Sequence, residues 1–325
     1  MNISIIGSGV AGLCVANELS ARGANVRLFD RHDAIGPHAC SWWAGGMLAP
    51  FCEGETAPDI VTRLGQLAAN WWQAQGVEVM RKGSLVIALG RDARELDRFA
   101  RRTSQHSMLN EDQLGALEPD LHGRFERGLY FPMEAHLSPR DALHTLTSNL
   151  RSLGVAISTE PASPDGTMID CRGLSARDAL HDLRGVKGEM LLLKCADIKL
   201  SRPVRLLHPR IPIYLVPRGD GVYMLGATQI ESADRTRATV RSVLELLSAA
   251  FALHPSFGEA EILEIGVDAR PAFPDNVPRI RLIENKIYAN GLFRHGFLLA
   301  PALAQMVAAH VLDGTIPELM NENHS

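Results

Sequence analysis

The chain opens with an apolar run, Ile3, Ile5 and Ile6, that stops at Gly7. Leu13, Ala16 and Leu19 follow at three-residue spacing, and a second apolar run, Val26, Leu28 and Phe29, comes after Gly23. These periods predict strand, helix and strand within the first thirty residues. Beyond them, Ile60, Leu64, Leu67 and Trp71 share one face of a helix expected over 57–75. Residues 83–89 and 128–131 read as strands, and 92–102 as a solvated helix whose arginines face water. Asn110 starts a short helix that Pro119 ends. Ser138 and Pro139 supply the N-cap and first turn of a helix reaching Leu150. Short strands are expected at 155–157 and 168–171, and a buried one at 190–193. Two apolar runs flank Arg218, Gly219, Asp220 and Gly221, which is a hairpin signal. Val240, Val243, Leu244, Leu247 and Phe251 form a stripe expected to lie in the core, and a strand, a glycine-flanked turn and a helix over 297–312 close the chain.

The glycines between the first strand and helix add chemistry to this pattern. Gly7, Gly9 and Gly12 stand as GxGxxG, followed eighteen residues after Gly12 by Asp30 at the end of the second strand. Gly7 permits a tight turn, Gly9 lets backbone approach a pyrophosphate, and Gly12 lets helix pack close to strand. Free N–H groups at Val10 and Ala11, with the partial positive charge of the helix end, suit phosphates, and Asp30 suits a ribose diol. The motif in this setting predicts a bound dinucleotide, FAD or a nicotinamide. A second small-residue stretch, Ser41 to Pro50, contains Gly45 and Gly46 beside Trp42, Trp43 and Met47. Two glycines exclude a helix interior there, and the apolar neighbours point to a flat ligand lying on backbone.

At 325 residues the chain exceeds what one core usually covers, so two domains are expected. With 46% apolar and 22% charged residues and a net charge of −4, it has an ordinary enzyme composition. Neither nucleic acid nor a membrane surface is an expected partner. No apolar run reaches the roughly 18 residues of a membrane span, and no leader precedes the first strand, so a cytoplasmic location is expected. The five cysteines are scattered without a CxxC pair and read as reduced thiols, and no metal is expected.

These residues together resemble the FAD-dependent amino-acid oxidase family, on its glycine-oxidase side, including the thiamine-biosynthesis type. The resemblance rests on the fingerprint with Asp30 and Arg31, on Ser41 to Pro50, and on Val186-Lys187-Gly188-Glu189. It continues in Tyr214 to Arg218, Gly226-Ala227-Thr228, Ala269-Arg270-Pro271, and Phe293 to Pro301. It implies an α/β fold: a Rossmann-like, glutathione-reductase-like FAD-binding domain interleaved with an α+β substrate domain built on an antiparallel sheet. The implied division gives 1–80, 138–185 and 268–325 to FAD and 81–137 and 186–267 to substrate.

Carried over residue by residue, the resemblance places Asp30 on the ribose and Arg31 near the adenosine. Ser41, Ala44, Gly45, Gly46 and Met47 approach the flavin ring. Cys171, Gly173 and Gly291 line the cofactor, and Arg294, His295, Gly296, Phe297 and Leu298 form the turn at the flavin's pyrimidine edge. The last block favours FAD over a nicotinamide. The segment 159–166, with Pro161 and Pro164, is shorter than the hairpin relatives carry there, which weakens its implied adenine contacts.

The implied reaction is oxidation of a small amino acid, glycine first, by hydride transfer to flavin N5. Imine or glyoxylate, ammonia and hydrogen peroxide result, with a link to thiamine thiazole synthesis. Arg270 is the expected carboxylate anchor, because a guanidinium fork matches a carboxylate in two bonds. Tyr214 is expected to add a hydrogen bond and Arg294 to shape the cavity. The implied partners are the amino acid and dioxygen, with a homo-oligomer left open. Sarcosine or N-methyl amino-acid oxidation, D-amino-acid dehydrogenation and a non-catalytic flavin-binding protein stand as alternatives.

Overall fold

The computed structural model describes residues 1–162 and 166–320. Its amino-terminal unit follows the apolar periods closely. Strand Asn2–Ile6 leads through Gly7 to helix Val10–Ala21, and strand Asn25–Phe29 returns parallel to the first. This βαβ unit seeds a six-stranded sheet in the order Arg279–Ile283, Lys286–Asn290, Thr167–Asp170, Asn2–Ile6, Asn25–Phe29, Ile157–Ser158. All pairings are parallel except the first. The strand expected at 155–157 is reduced to Ile157–Ser158, paired with Leu28 and Phe29. Pro164, part of the shortened segment, lies outside the described residues.

A nine-stranded sheet builds the other layer. Its path runs Ile230–Glu231, Arg184–Lys194, Val222–Gly226, Ile213–Pro217, Val204–Leu207, Ser84–Ala88, Arg127–Phe131, Ser107–Asn110, and Glu261–Ala272 pairs with Arg184–Lys194 beside that path. The hairpin at Arg218 to Gly221 forms as its glycines and flanking apolar runs predict. The sheet is antiparallel, as expected, apart from one parallel pair, Val204–Leu207 against Ser84–Ala88.

Three helical expectations are corrected. The stretch 57–75 divides into Asp59–Gly65 and Ala68–Ala74. Gly65 sits where a Cβ would press on the Leu298 side chain at 2.8 Å, so the first helix meets the carboxy-terminal helix at close range. The stripe of helix Val240–Leu253 does not face the core: Val240, Leu244 and Phe251 are 86%, 63% and 55% exposed, while Val243 and Leu247 are half-buried at its border. The buried face is Ser242, Leu246, Ala250 and Leu253. The helix carries apolar residues on both sides, and this one packs against the sheet core. Helix Gly296–Asp313 is, by length and composition, long and apolar enough to cross a membrane, which the sequence expectation missed. It is 56% buried and packs on Val10–Ala21 and on both halves of the 57–75 region, so it serves here as a core helix.

Capping follows the sequence unevenly. Ser138 occupies the N-cap of Pro139–Ser152 but makes no side-chain cap bond. Asn110 closes a full capping box on Glu111–Leu117: Gln113 N donates to Asn110 Oδ1 at 2.9 Å, and Asn110 N donates to Gln113 Oε1 at 3.0 Å. Asn110→Ala is expected to cost about 1 kcal/mol in a denaturant titration, because the Gln113 N–H at the helix end loses its side-chain acceptor.

Candidate active site

One cavity of about 820 Å³ is lined by every residue given a cofactor or substrate role in the sequence except Gly12. Gly12 instead serves packing, since a Cβ there would overlap the Gly7 carbonyl oxygen. Gly7 adopts φ +104°, a conformation side chains disfavour. Gly9 is different again: a Cβ there would meet only Ser41 Oγ, at 3.5 Å, so its backbone is bare to the cavity. The three glycines thus have the three geometries that a pyrophosphate turn needs. Asp30 directly follows the second strand and is oriented by Ser8, whose N–H and hydroxyl donate to Oδ2 at 2.6 and 2.8 Å. Burial opposes its ionisation, yet these bonds and those from His32 and Arg31 outweigh it and hold the carboxyl below the usual range.

The Ser41 to Met47 stretch is fixed from two directions. Ser41 Oγ accepts the Val10 N–H at 3.2 Å, joining it to the first helix end. Arg218, from the hairpin, donates to the carbonyl of Gly45 at 2.6 Å and also reaches those of Ala44 and Leu137. Burial lowers the Arg218 guanidinium to about 10. On the far side of the cavity, Leu299 N donates to the His295 carbonyl at 2.8 Å, the first bond of the carboxy-terminal helix. The N–H groups of Gly296, Phe297 and Leu298 precede that bond and open the helix towards the cavity. Trp72 Nε1 donates to the Phe297 carbonyl at 2.8 Å and holds this turn. Asn290 ties it to the neighbouring turn: its Nδ2 donates to the Gly173 carbonyl at 2.9 Å and its Oδ1 accepts from Gly291 N at 2.8 Å. Thr159, Glu160, Pro161 and Ala162 also line the cavity, so the shortened segment still reaches it.

The nine-stranded sheet forms the facing wall. Tyr214 is the register partner of Gly226, and a Cβ on Gly226 would press on the tyrosine ring at 2.9 Å. The ring therefore leans across Gly226 towards strand Arg184–Lys194. On that strand, a Cβ at Gly188 would overlap the guanidinium of Arg270. Arg270 donates to the Thr228 carbonyl at 3.1 Å, and among the described residues no carboxylate pairs with it. Two glycines on adjacent strands thus make room for the two side chains expected to hold a carboxylate.

Arg294 is placed otherwise. Its Nη2 contacts Glu53 Oε2 at 2.7 Å and Thr56 Oγ1 at 2.8 Å. Glu53 also receives Arg205 Nη2 at 2.8 Å and lies 3.0 Å from His295 Nε2. Burial raises the Glu53 carboxyl, but Arg294 and Arg205 outweigh it and hold it well below the usual range. Burial lowers His295, against the opposing pull of the Glu53 carboxylate. Glu53 and Arg205 were not singled out from the sequence. The signal for Arg205 was available: a lone cation between buried Val204 and Leu206 in an apolar strand. Glu53 carries no local motif.

The family of FAD dependent oxidoreductases, DAO, matches residues 2–310. A Rhizobium etli protein named as a candidate thiamine biosynthesis oxidoreductase, ThiO, is 50% identical over 317 residues, covering 96% of this chain and 97% of its own. A glycine oxidase of Pseudomonas aeruginosa is 26% identical over 347 residues, covering 94% and 93%. Among solved structures, an iminodiacetate oxidase from Chelativorans superposes with TM-score 0.83 at 22% identity over 99% of this chain and 98% of that one. The pyrophosphate turn, the second helix end and the match across nearly the whole chain agree: this protein belongs to the FAD-dependent oxidoreductase family, DAO.

Proposed function

We propose that the protein oxidatively deaminates a small α-amino acid, glycine first, with Arg270 as carboxylate anchor. The observation that carries this is a guanidinium with no carboxylate partner among the described residues, lining the cavity that also holds the glycine turn. The names of the glycine oxidase relative and of ThiO support the substrate and the link to thiamine biosynthesis. In this reading residues 1–80, 138–185 and 268–325 hold FAD, and 81–137 and 186–267 present the substrate. Free cysteines throughout suit a reducing cytoplasm.

The residues fit FAD. Gly7, Gly9, Val10 and Ala11 would take the pyrophosphate, Asp30 the ribose, and Arg31, Cys171 and Gly173 the adenosine end. Ser41, Ala44 to Met47, Gly291 and the N–H groups of Gly296 to Leu298 would border the flavin. Bound there, FAD would supply the acceptor for the hydride from the substrate's Cα and the route for its electrons to dioxygen. The balance is glycine, water and dioxygen to glyoxylate, ammonia and hydrogen peroxide. The chain's own work is orientation. Arg270 takes the carboxylate in two bonds, and Tyr214 offers its hydroxyl beside it. The turn at Gly296 presents N–H dipoles where negative charge gathers on reduction. No side chain is required as a nucleophile.

A panel of amino acids and N-methyl amino acids, scored in air for peroxide, tests this reading. Glycine or sarcosine should lead the panel. Peroxide from bulky D-amino acids alone would assign the protein to another activity within the family.

A further inference from the structure

Arg218 follows strand Ile213–Pro217, and its N–H donates to the Val222 carbonyl at 2.8 Å across the hairpin. Burial lowers its guanidinium to about 10, which leaves it charged at neutral pH. Among the described residues no carboxylate pairs with it, and its donors go to backbone carbonyls instead. The nearest is Gly45 O at 2.6 Å, followed by Leu137 O at 3.2 Å and Ala44 O at 3.4 Å. The peptides Ala44–Gly45 and Gly45–Gly46 are trans, so each N–H points opposite to its carbonyl. With both carbonyls turned to Arg218, the N–H groups of Gly45 and Gly46 are turned away from it. Among the described residues neither N–H has an acceptor. Both glycines line the cavity, and Gly46 is buried. Buried N–H groups without an acceptor are rare in folded proteins, so this pair is open to a ligand. The turn is held from other sides as well. Leu137 N donates to the Gly46 carbonyl at 2.9 Å, and Gly46 adopts φ +68°. Tyr214 lies four residues before Arg218, on the same side of the strand, and a Cβ on Gly45 would come within 2.9 Å of its ring.

We propose that Arg218 is a positioning residue for FAD, aiming the N–H groups of Gly45 and Gly46 at acceptor atoms of the flavin ring. A cation on the two carbonyls also polarises their peptides and strengthens both donors. The Tyr214 ring backs the same turn, so the donors that seat the flavin and the hydroxyl offered to the substrate keep one spacing. This role rests on the reading that Ala44 to Met47 border the flavin, and it is independent of Arg270.

The test is amide hydrogen exchange in the FAD-loaded protein, resolved at Gly45 and Gly46, with FAD affinity read from flavin release on dilution. In wild type both amides should exchange at least about a hundredfold more slowly than in an unstructured peptide. In Arg218→Met they should exchange about tenfold faster or more, and FAD affinity should fall about tenfold, the scale of one or two lost hydrogen bonds. The amides of Phe297 and Leu298, across the cavity, should keep their wild-type rates, which a general loosening of the fold would not allow. Arg218→Lys keeps the charge and a donor for the Gly45 carbonyl, and should recover part of both losses. Protected wild-type amides that stay equally protected in Arg218→Met overturn the role of Arg218 alone. Amides that exchange freely in FAD-loaded wild type overturn it together with the place of this turn beside the flavin, so the two failures are distinguishable. The wild-type measurement decides even if Arg218→Met fails to load FAD.

Discussion

Replacing Arg270 by methionine is expected to lower kcat/KM for glycine by roughly 30- to 4,000-fold, with FAD content and melting temperature near wild type. A small zwitterion offers few handles, so most of its orientation comes from the carboxylate. Losing one partner of a desolvated, charge-assisted pair typically costs about 2–5 kcal/mol, and each 1.4 kcal/mol is tenfold. Stability should hold because the guanidinium makes one bond to the protein, to the Thr228 carbonyl. It rests on the bare backbone of Gly188 rather than in a salt bridge. Arg270→Lys should recover only part of the loss, since an ammonium cannot form the fork. Titration with acetate separates binding from chemistry. Wild-type acetate affinity in Arg270→Met would move the anchor elsewhere.

Gly9→Val is expected to abolish FAD retention while leaving a folded protein. Gly9 has φ −69° and ψ −178°, extended backbone that any residue adopts, and its Cβ direction is open apart from Ser41. A valine there costs the fold little, but its branched side chain stands where the backbone must approach the pyrophosphate. Gly12→Ala is the contrast: its Cβ overlaps the Gly7 carbonyl, so the turn itself must move and the protein should lose stability. Released flavin after denaturation, together with thermal melts, distinguishes the two outcomes. Gly9→Val protein with a full FAD complement would remove Gly9 from the phosphate site.

The parts legible in the sequence were those whose physics is local. A strand, a glycine turn, a helix and an acid lie within thirty residues, and each glycine answers a steric demand of its immediate neighbours. The hairpin around Arg218 was equally local. What Arg218 does, clamping the carbonyls of Ala44 and Gly45, was not, because it joins segments 173 residues apart. Glu53 was invisible for the same reason: its partners come from a sheet strand and from the carboxy-terminal turn. Arg294, read as a cavity-shaping cation, keeps that place but spends its charge on Glu53. The helix Val240–Leu253 was misread because periodicity ranks faces by hydrophobicity. Here the buried face, Ser242, Leu246, Ala250 and Leu253, is not the most apolar one.

The most direct test of the account is anaerobic mixing of the purified protein with glycine. The account predicts yellow protein whose oxidised-flavin absorbance is lost on mixing and returns in air with formation of hydrogen peroxide, glyoxylate and ammonia. Protein that carries FAD yet keeps its oxidised spectrum with glycine, sarcosine and every other small amino acid would contradict it.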